Sequence, residues 1–296
     1  LMHRAGGVAF IDFAASAPYV DIDMHPADPE QQLDAVLWSP HKFLGGPGSS
    51  GVLVFNRALY RNTVPDDSGG GTVNWTNPWG QYSFLDDIEA REDAGTPGFL
   101  QAIKAALAVQ LKDRMGVTSM RRREPAIGPH VMGALRSIPG VHVLEPTQHD
   151  RLAIFSFYVE RIHYNLIVQL LNDRFGVQAR GGCSCAGTYG HYLLHVDPSR
   201  SRSITERIDQ GDLSEKPGWV RLSFHPTSTM ADIEHTMHAV REIVRHIDQW
   251  AQDYEYSPVT NEFAHRNDDH GAAIAGVRQW FELEPSAVAQ DDPQDA

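Results

Sequence analysis

Short apolar runs at residues 8–11, 35–38 and 51–55 alternate with polar and glycine-rich turns, and they constrain the fold more than any other feature of this chain. Such runs resemble the buried strands of a mixed α/β sheet. With 296 residues the chain is long enough for one large domain or two ordinary ones, with ample core.

The bend between the second and third runs reads Ser39-Pro40-His41-Lys42-Phe43, followed at once by Leu44-Gly45-Gly46-Pro47-Gly48. It sets one lysine beside an imidazole and a hydroxyl. A lysine held in such a bend can form an imine with an aldehyde cofactor, while Ser39 and His41 hold that cofactor's phosphate. A surface turn with an exposed lysine would use the same residues.

Composition excludes several function classes. A net charge of −13 disfavours a general nucleic-acid or anionic-membrane surface. The local exception, Arg121-Arg122-Arg123, reads as a solvated helix face. No run is long and apolar enough for a transmembrane helix, and residues 1–7 do not read as a leader, so a cytoplasmic location is expected. Two cysteines, Cys183 and Cys185, exclude a disulfide framework, and bridging them to each other would strain a very short loop. Zinc held by this pair with His191 and His195 is the weaker reading, and no metal is expected.

Further along, residues 65–94 are loop-rich, with Gly69-Gly70-Gly71, Trp75, Pro78, Trp79 and Gly80. They are too apolar for a free linker. Ile103, Leu107 and Leu111 at four-residue spacing predict a helix after Thr96-Pro97, and a second helix is expected over 120–137. Strands are expected at 141–144, 152–158, 176–180 and 219–224, with a helix over 165–174. Thr229, with Asp232 three residues on, opens a last helix whose stripe is Ile233, Met237, Val240, Val244 and Ile247. The acidic stretch beyond Asp253 is expected to be loosely ordered apart from a short helix around 274–281. The implied division is residues 1–95, a small α+β domain over 96–252, and a tail over 253–296.

Four other sites stand with Lys42. Asp12 closes the first strand before Phe13-Ala14-Ala15-Ser16-Ala17-Pro18, and a carboxylate there can pair with a protonated pyridine nitrogen; a turn-capping aspartate looks the same. In Arg91-Glu92-Asp93-Ala94-Gly95-Thr96-Pro97, a glycine amide and a threonine hydroxyl at a helix start suit a phosphate, as they suit an ordinary cap. Arg180-Gly181-Gly182-Cys183-Ser184-Cys185-Ala186-Gly187 is either a mobile loop carrying a thiol or a turn with small buried thiols. Arg221, on a strand, is placed to clamp a carboxylate or to serve as a surface residue.

The succession of Asp12, the Ser39-to-Lys42 turn, Gly95-Thr96-Pro97, the Arg-x-Gly-x-x-Cys segment and Val220-Arg221-Leu222-Ser223 resembles the class V pyridoxal-phosphate (PLP) enzymes of the aspartate-aminotransferase fold. The match is nearest to the cysteine desulfurase and selenocysteine lyase branch, including the sulfurase domain of molybdenum-cofactor sulfurases, and covers roughly residues 7–247.

The resemblance implies an α/β fold: part of a fold type I PLP-binding large domain, then a small α+β domain. It implies that Lys42 takes the cofactor aldehyde covalently, that Asp12 pairs with the pyridine nitrogen, and that Ser39 and His41 contact the phosphate. Gly95 and Thr96 would reach the phosphate of a neighbouring subunit's cofactor, which implies a homodimer. Arg221 would bind the carboxylate of a small amino-acid substrate. Cys185, at the nucleophile position, would take the substrate's sulfur as a persulfide for a sulfur-acceptor protein. Cys183 has no family role.

A class V aminotransferase or epimerase using no thiol, and a non-catalytic interaction piece, remain open alternatives. Residues 28–32 read as a loop insertion relative to the family. In the family about half of the cofactor domain precedes the aspartate, whereas eleven residues precede Asp12. The chain is therefore expected to be the C-terminal portion of a longer enzyme and to hold PLP weakly by itself.

Overall fold

A computed structural model describes residues 1–268 and 270–282. Its elements run β1 (Phe10–Asp12), β2 (Ala35–Trp38), β3 (Val52–Phe55), β4 (Val73–Thr76), β5 (Tyr82–Phe84), α1 (Ile88–Arg91), α2 (Phe99–Met115), α3 (Val117–Arg121) and α4 (Glu124–Arg136). They continue with β6 (Val141–Val143), β7 (Ile154–Val159), α5 (Tyr164–Phe175), β8 (Arg180–Gly182), α6 (Gly187–Leu193), α7 (Pro198–Asp209), β9 (Trp219–Ser223), α8 (Met230–Trp250), β10 (Tyr254–Ser257), β11 (Glu262–His265) and α9 (His270–Gln279). Among the described residues no helix is long and apolar enough to cross a membrane.

The chain separates into two compact units: Leu1–Gly128 with Asp150–Leu152, and Pro129–His149 with the described residues from Ala153 onward. The division thus falls at Gly128 and Pro129 rather than near residue 95. Helix α2 belongs to the first unit because Ala108 packs into the cluster of Ala17 and Phe43. Pro129, which lacks the N–H a helix interior needs, lies inside α4 where the units part. The helix expected over 120–137 is two, α3 and α4, and Pro125 sits in the first turn of the second, where proline is tolerated.

In the first unit the three apolar runs form one sheet in the order β1-β2-β3, with β1 parallel and β3 antiparallel to β2. Buried Ala35 and Val36 place its core on the central strand. A separate hairpin, β4-β5, occupies the stretch read as loop. Helix α2 corrects the expected stripe: Ile103, Leu107 and Leu111 are 56%, 59% and 37% exposed, while Ala105 and Ala108 are buried. Small side chains let the helix axis approach the core closely, and the bulky ones point outward.

In the second unit an antiparallel sheet runs β6-β7-β9-β8. Strand β7 alternates half-buried and buried residues, so Phe155, Phe157 and Val159 share the buried face. Helix α5 packs on α8, β8 and β9. Ile233, Met237 and Val240 are buried on α8 as expected, joined by Ile243, while Val244 and Ile247 are half-buried.

The described residues after Asp253 are mostly in regular structure. Strands β10 and β11 pair as a hairpin whose turn has Asn261 in the left-handed region at φ 60°, and Asn261 Nδ2 donates to Tyr164 Oη at 2.8 Å. Alternating aromatic and polar residues, Tyr254 and Tyr256 opposite Phe263 and His265, supply the face that an acidic composition concealed. The expected short helix appears as α9, and residues 283–296 of the tail lie outside the described residues.

Helix α8 carries the predicted capping box: Thr229 Oγ1 accepts from Asp232 N at 3.1 Å, and Asp232 Oδ2 accepts from Thr229 N at 2.7 Å. Those bonds hold the Asp232 carboxyl below its ordinary range, the Thr229 amide foremost. The carboxylate's share of the cap is therefore complete above the ordinary carboxylate range and is lost as pH falls through the lowered one. Thr229→Ala is expected to cost about 1 kcal/mol in urea unfolding at neutral pH. An unchanged midpoint would mean the box adds nothing.

Candidate active site

Asp12 ends β1 beside Leu37 of the parallel strand β2, and Phe13 N extends the pairing to Leu37 O at 2.8 Å. The two strands therefore deliver Asp12 and the Ser39-to-Lys42 turn to one carboxyl edge of one sheet. That is where open α/β sheets collect ligands. Asp12 is exposed; its Oδ1 accepts from Ala14 N at 2.7 Å, which aims the carboxylate, and Oδ2 has no partner among the described residues.

The turn is staked at both ends. Lys42 N donates to Ser39 O at 3.0 Å and Phe43 N to Pro40 O at 2.9 Å, closing a 3-10 turn over Pro40–Lys42. Pro40 is buried, and Phe43 packs against Ala17 and Ala108. Gly46 N returns to Phe43 O, and a Cβ on Gly46 would lie 1.8 Å from the Pro40 carbonyl oxygen, so only glycine closes the loop there. Between these anchors His41 and Lys42 are exposed and Ser39 is half-buried. Among the described residues neither the imidazole nor the amine has a hydrogen bond or ion pair.

Gly95 and Thr96 are exposed. They do not form the helix start expected of them, because α2 opens at Phe99 behind Gly98 with no side-chain cap. Pro97 restricts the residue before it to extended backbone, which delays the helix.

In the second unit β8 lies antiparallel to β9 with Arg180 directly opposite Arg221, so both guanidinium groups stand on one face. Arg221 is half-buried, and its Nε is sealed from solvent without a partner. Burial, then the adjacent Arg180, hold its pKa below the usual arginine value, with Cys185 pulling the other way. Past β8 the backbone makes a tight turn with Ser184 and Cys185 at φ 52° and 67°. Two successive non-glycine residues there cost roughly 1 kcal/mol each. The turn presents the exposed Cys185 thiol to Arg180, whose Nη2 is 3.3 Å from Sγ.

Cys183 lives differently. Its thiol donates to Pro217 O at 3.0 Å, and burial raises its pKa despite nearby Lys216, so it stays protonated. Gly190 gives it room, since a Cβ there would lie 3.2 Å from both Cys183 Sγ and the Trp219 ring. Positions two residues apart thus hold one inert thiol and one presented thiol. Arg180 is the site residue that sequence reasoning assigned no role. Its signal was the Arg-x-Gly-x-x-Cys spacing, which places it across the strand pair from Arg221 and beside the thiol.

The family model "Aminotransferase class-V" matches residues 1–236. A probable cysteine desulfurase of Staphylococcus epidermidis is 29% identical over 181 residues, 61% of this chain and 42% of that protein. One from Staphylococcus aureus is 27% identical over 209 residues, 69% of this chain and 49% of its own length. The chain thus spans about half the length of the curated relatives it matches. Among solved structures, a cysteine desulfurase of Thermococcus onnurineus superposes with a TM-score of 0.63 at 23% identity, covering 82% of this chain and 54% of that one. One from Escherichia coli gives 0.61 at 23%, covering 83% and 53%. At that identity the likeness speaks for the fold.

Proposed function

The chain belongs to the aminotransferase class-V family, and we propose that it serves a PLP-dependent, cysteine desulfurase-like sulfur transfer. The observation that carries the reading is the shared carboxyl edge of β1 and β2, which gathers a carboxylate with a free oxygen, an unpaired amine, an imidazole and a hydroxyl. That donor set fits a ring bearing a basic nitrogen, an aldehyde and a phosphate. Asp12 would hold the ring nitrogen, Lys42 the aldehyde carbon, and Ser39 with His41 the phosphate, with Gly95 and Thr96 reaching a phosphate in a homodimer. When bound, PLP supplies an electron sink for charge developing at the substrate's α-carbon.

The chain's own residues do the rest. Asp12 keeps a proton on the ring nitrogen. The Lys42 amine, with no competing partner among the described residues, takes the α-proton of the substrate. Arg221 binds the substrate carboxylate by two parallel hydrogen bonds, and its sealed, unpaired Nε favours an anion arriving there. The Cys185 thiol, beside Arg180, accepts sulfur. The net exchange balances: L-cysteine plus the Cys185 thiol gives L-alanine plus a Cys185 persulfide, which an acceptor protein would discharge. A thiol-free aminotransferase would leave the presented Cys185 and its neighbouring guanidinium without use.

Sodium borohydride added with PLP fixes weakly held cofactor on the amine that binds it, so it reads this chain even at low affinity. Cys185→Ala is expected to keep that label on Lys42 while releasing no sulfide from L-cysteine in the presence of a dithiol reductant, which in wild type would reduce the persulfide to thiol and sulfide. Sulfide release at the wild-type rate would refute the sulfur reading and leave the cofactor reading standing.

A further inference from the structure

The triplet Gly69-Gly70-Gly71 lies in the same unit as Lys42, and the proposed chemistry makes no use of it. A Cβ on Gly69 would lie 2.0 Å from the carbonyl oxygen of Ala94 and 2.9 Å from its carbon; one on Gly71 would lie 3.0 Å from the oxygen of Asp93. Gly70 would meet nothing within 4 Å. The first and third glycines are therefore pressed onto the backbone directly preceding Gly95 and Thr96. Thr72, fully buried, locks the triplet: its Oγ1 donates to Gly69 O at 2.7 Å and accepts from Gly69 N at 3.2 Å.

The same backbone is gripped through its side chains. Glu92 accepts from the Tyr60 hydroxyl and, at 3.1 Å, from Asp66 N. Arg91 donates to Leu85 O at 2.8 Å and to Asn62 O at 3.1 Å, with its guanidinium 5.4 Å from the centre of the Tyr60 ring. Residues 91–94 are thus held from two directions, while Gly95 and Thr96 just beyond them are exposed and, among the described residues, unbonded. A loop tied this closely upstream of a bare amide and hydroxyl is ordered before anything binds, and that removes the ordering entropy from the binding step.

We propose that Gly69, Gly71 and the Tyr60–Glu92 pair are positioning residues that set the Gly95-Thr96 loop for a phosphate group. The proposal rests on the cofactor reading above and extends it to residues that touch neither cofactor nor substrate.

The test compares Gly69→Ala with Gly70→Ala, the same chemistry one residue apart. In Gly69→Ala, hydrogen exchange across residues 92–98 is expected to speed up; in Gly70→Ala it stays at the wild-type rate. The second readout is half-maximal borohydride labelling of Lys42 with PLP and with pyridoxal, which lacks the phosphate. Gly69→Ala is expected to weaken labelling by PLP about tenfold relative to pyridoxal, the scale of one charge-assisted hydrogen bond. Gly70→Ala keeps the wild-type ratio. Should Gly69→Ala not fold, Tyr60→Phe removes the hydroxyl that Glu92 holds and is expected to move the ratio in the same direction by less. Unchanged exchange overturns the brace, and equal losses with both aldehydes overturn its link to phosphate. A wild-type chain that neither aldehyde labels sinks the cofactor reading, while the exchange comparison still decides the brace.

Discussion

Lys42→Ala will abolish borohydride-fixed labelling by PLP while leaving the fold intact. The amine is exposed and, among the described residues, unbonded in a turn whose shape is set by Ser39, Pro40, Phe43 and Gly46, none of which the substitution touches. Stability should therefore stay within about 0.5 kcal/mol of wild type, the usual range for a surface change. Sulfur release should fall by at least about 10³-fold, since one residue both binds the aldehyde and moves the α-proton. Lys42→Arg keeps the charge but not the nucleophile, so it should fail equally. Peptide mass mapping locates the label. A label that persists in Lys42→Ala, on Lys104 or Lys112 for example, would show that the aldehyde is taken elsewhere and end the proposed assignment.

How much of this was legible in the sequence depends on whether a local pattern reports the feature. The three strands of the first sheet, the Thr229 capping box and the α8 stripe were readable because period and cap chemistry are local. Asp12 and Lys42 were readable as strand-end residues, and the parallel pairing that joins their edges is what sequence left out. Helix α2 misled because its large apolar residues face outward and two alanines face in, which inverts the usual stripe. Helices α6 and α7 left almost no signal: α6 spans seven residues, and α7 buries only Ile204. The glycine triplet gave a turn signal, yet its contact with Ala94 is with backbone, which no residue identity encodes. Arg180 was visible as a letter in a motif, but its pairing with Arg221 is a matter of register, which a one-residue slip would undo.

The largest stability loss is expected from Phe155→Ala. Phe155 is fully buried on β7, an interior strand of the four-stranded sheet, and its ring centroid is 6.1 Å from that of Phe224. Truncation leaves a cavity that neighbours cannot fill, because Phe157, Ile167, Leu170 and Val220 are themselves fully buried. The cost should be about 3–5 kcal/mol, a large share of the roughly 5–15 kcal/mol that holds a typical domain. Tyr158→Ala, on the opposite and half-buried face, is expected to cost far less, since its ring stacks on exposed His142. The consequence reaches the site, because β7 carries β9 and β9 carries β8, so Arg221 and the Arg180–Cys185 contact depend on this strand. In Phe155→Ala the second unit should lose its urea transition first, and Cys183, now half-buried and held by Pro217 O, should become open to faster alkylation at denaturant concentrations where wild type reacts slowly. A loss below about 1 kcal/mol, with Cys183 still reacting slowly, would mean that the sheet's core lies elsewhere and that register in β8–β9 has another support.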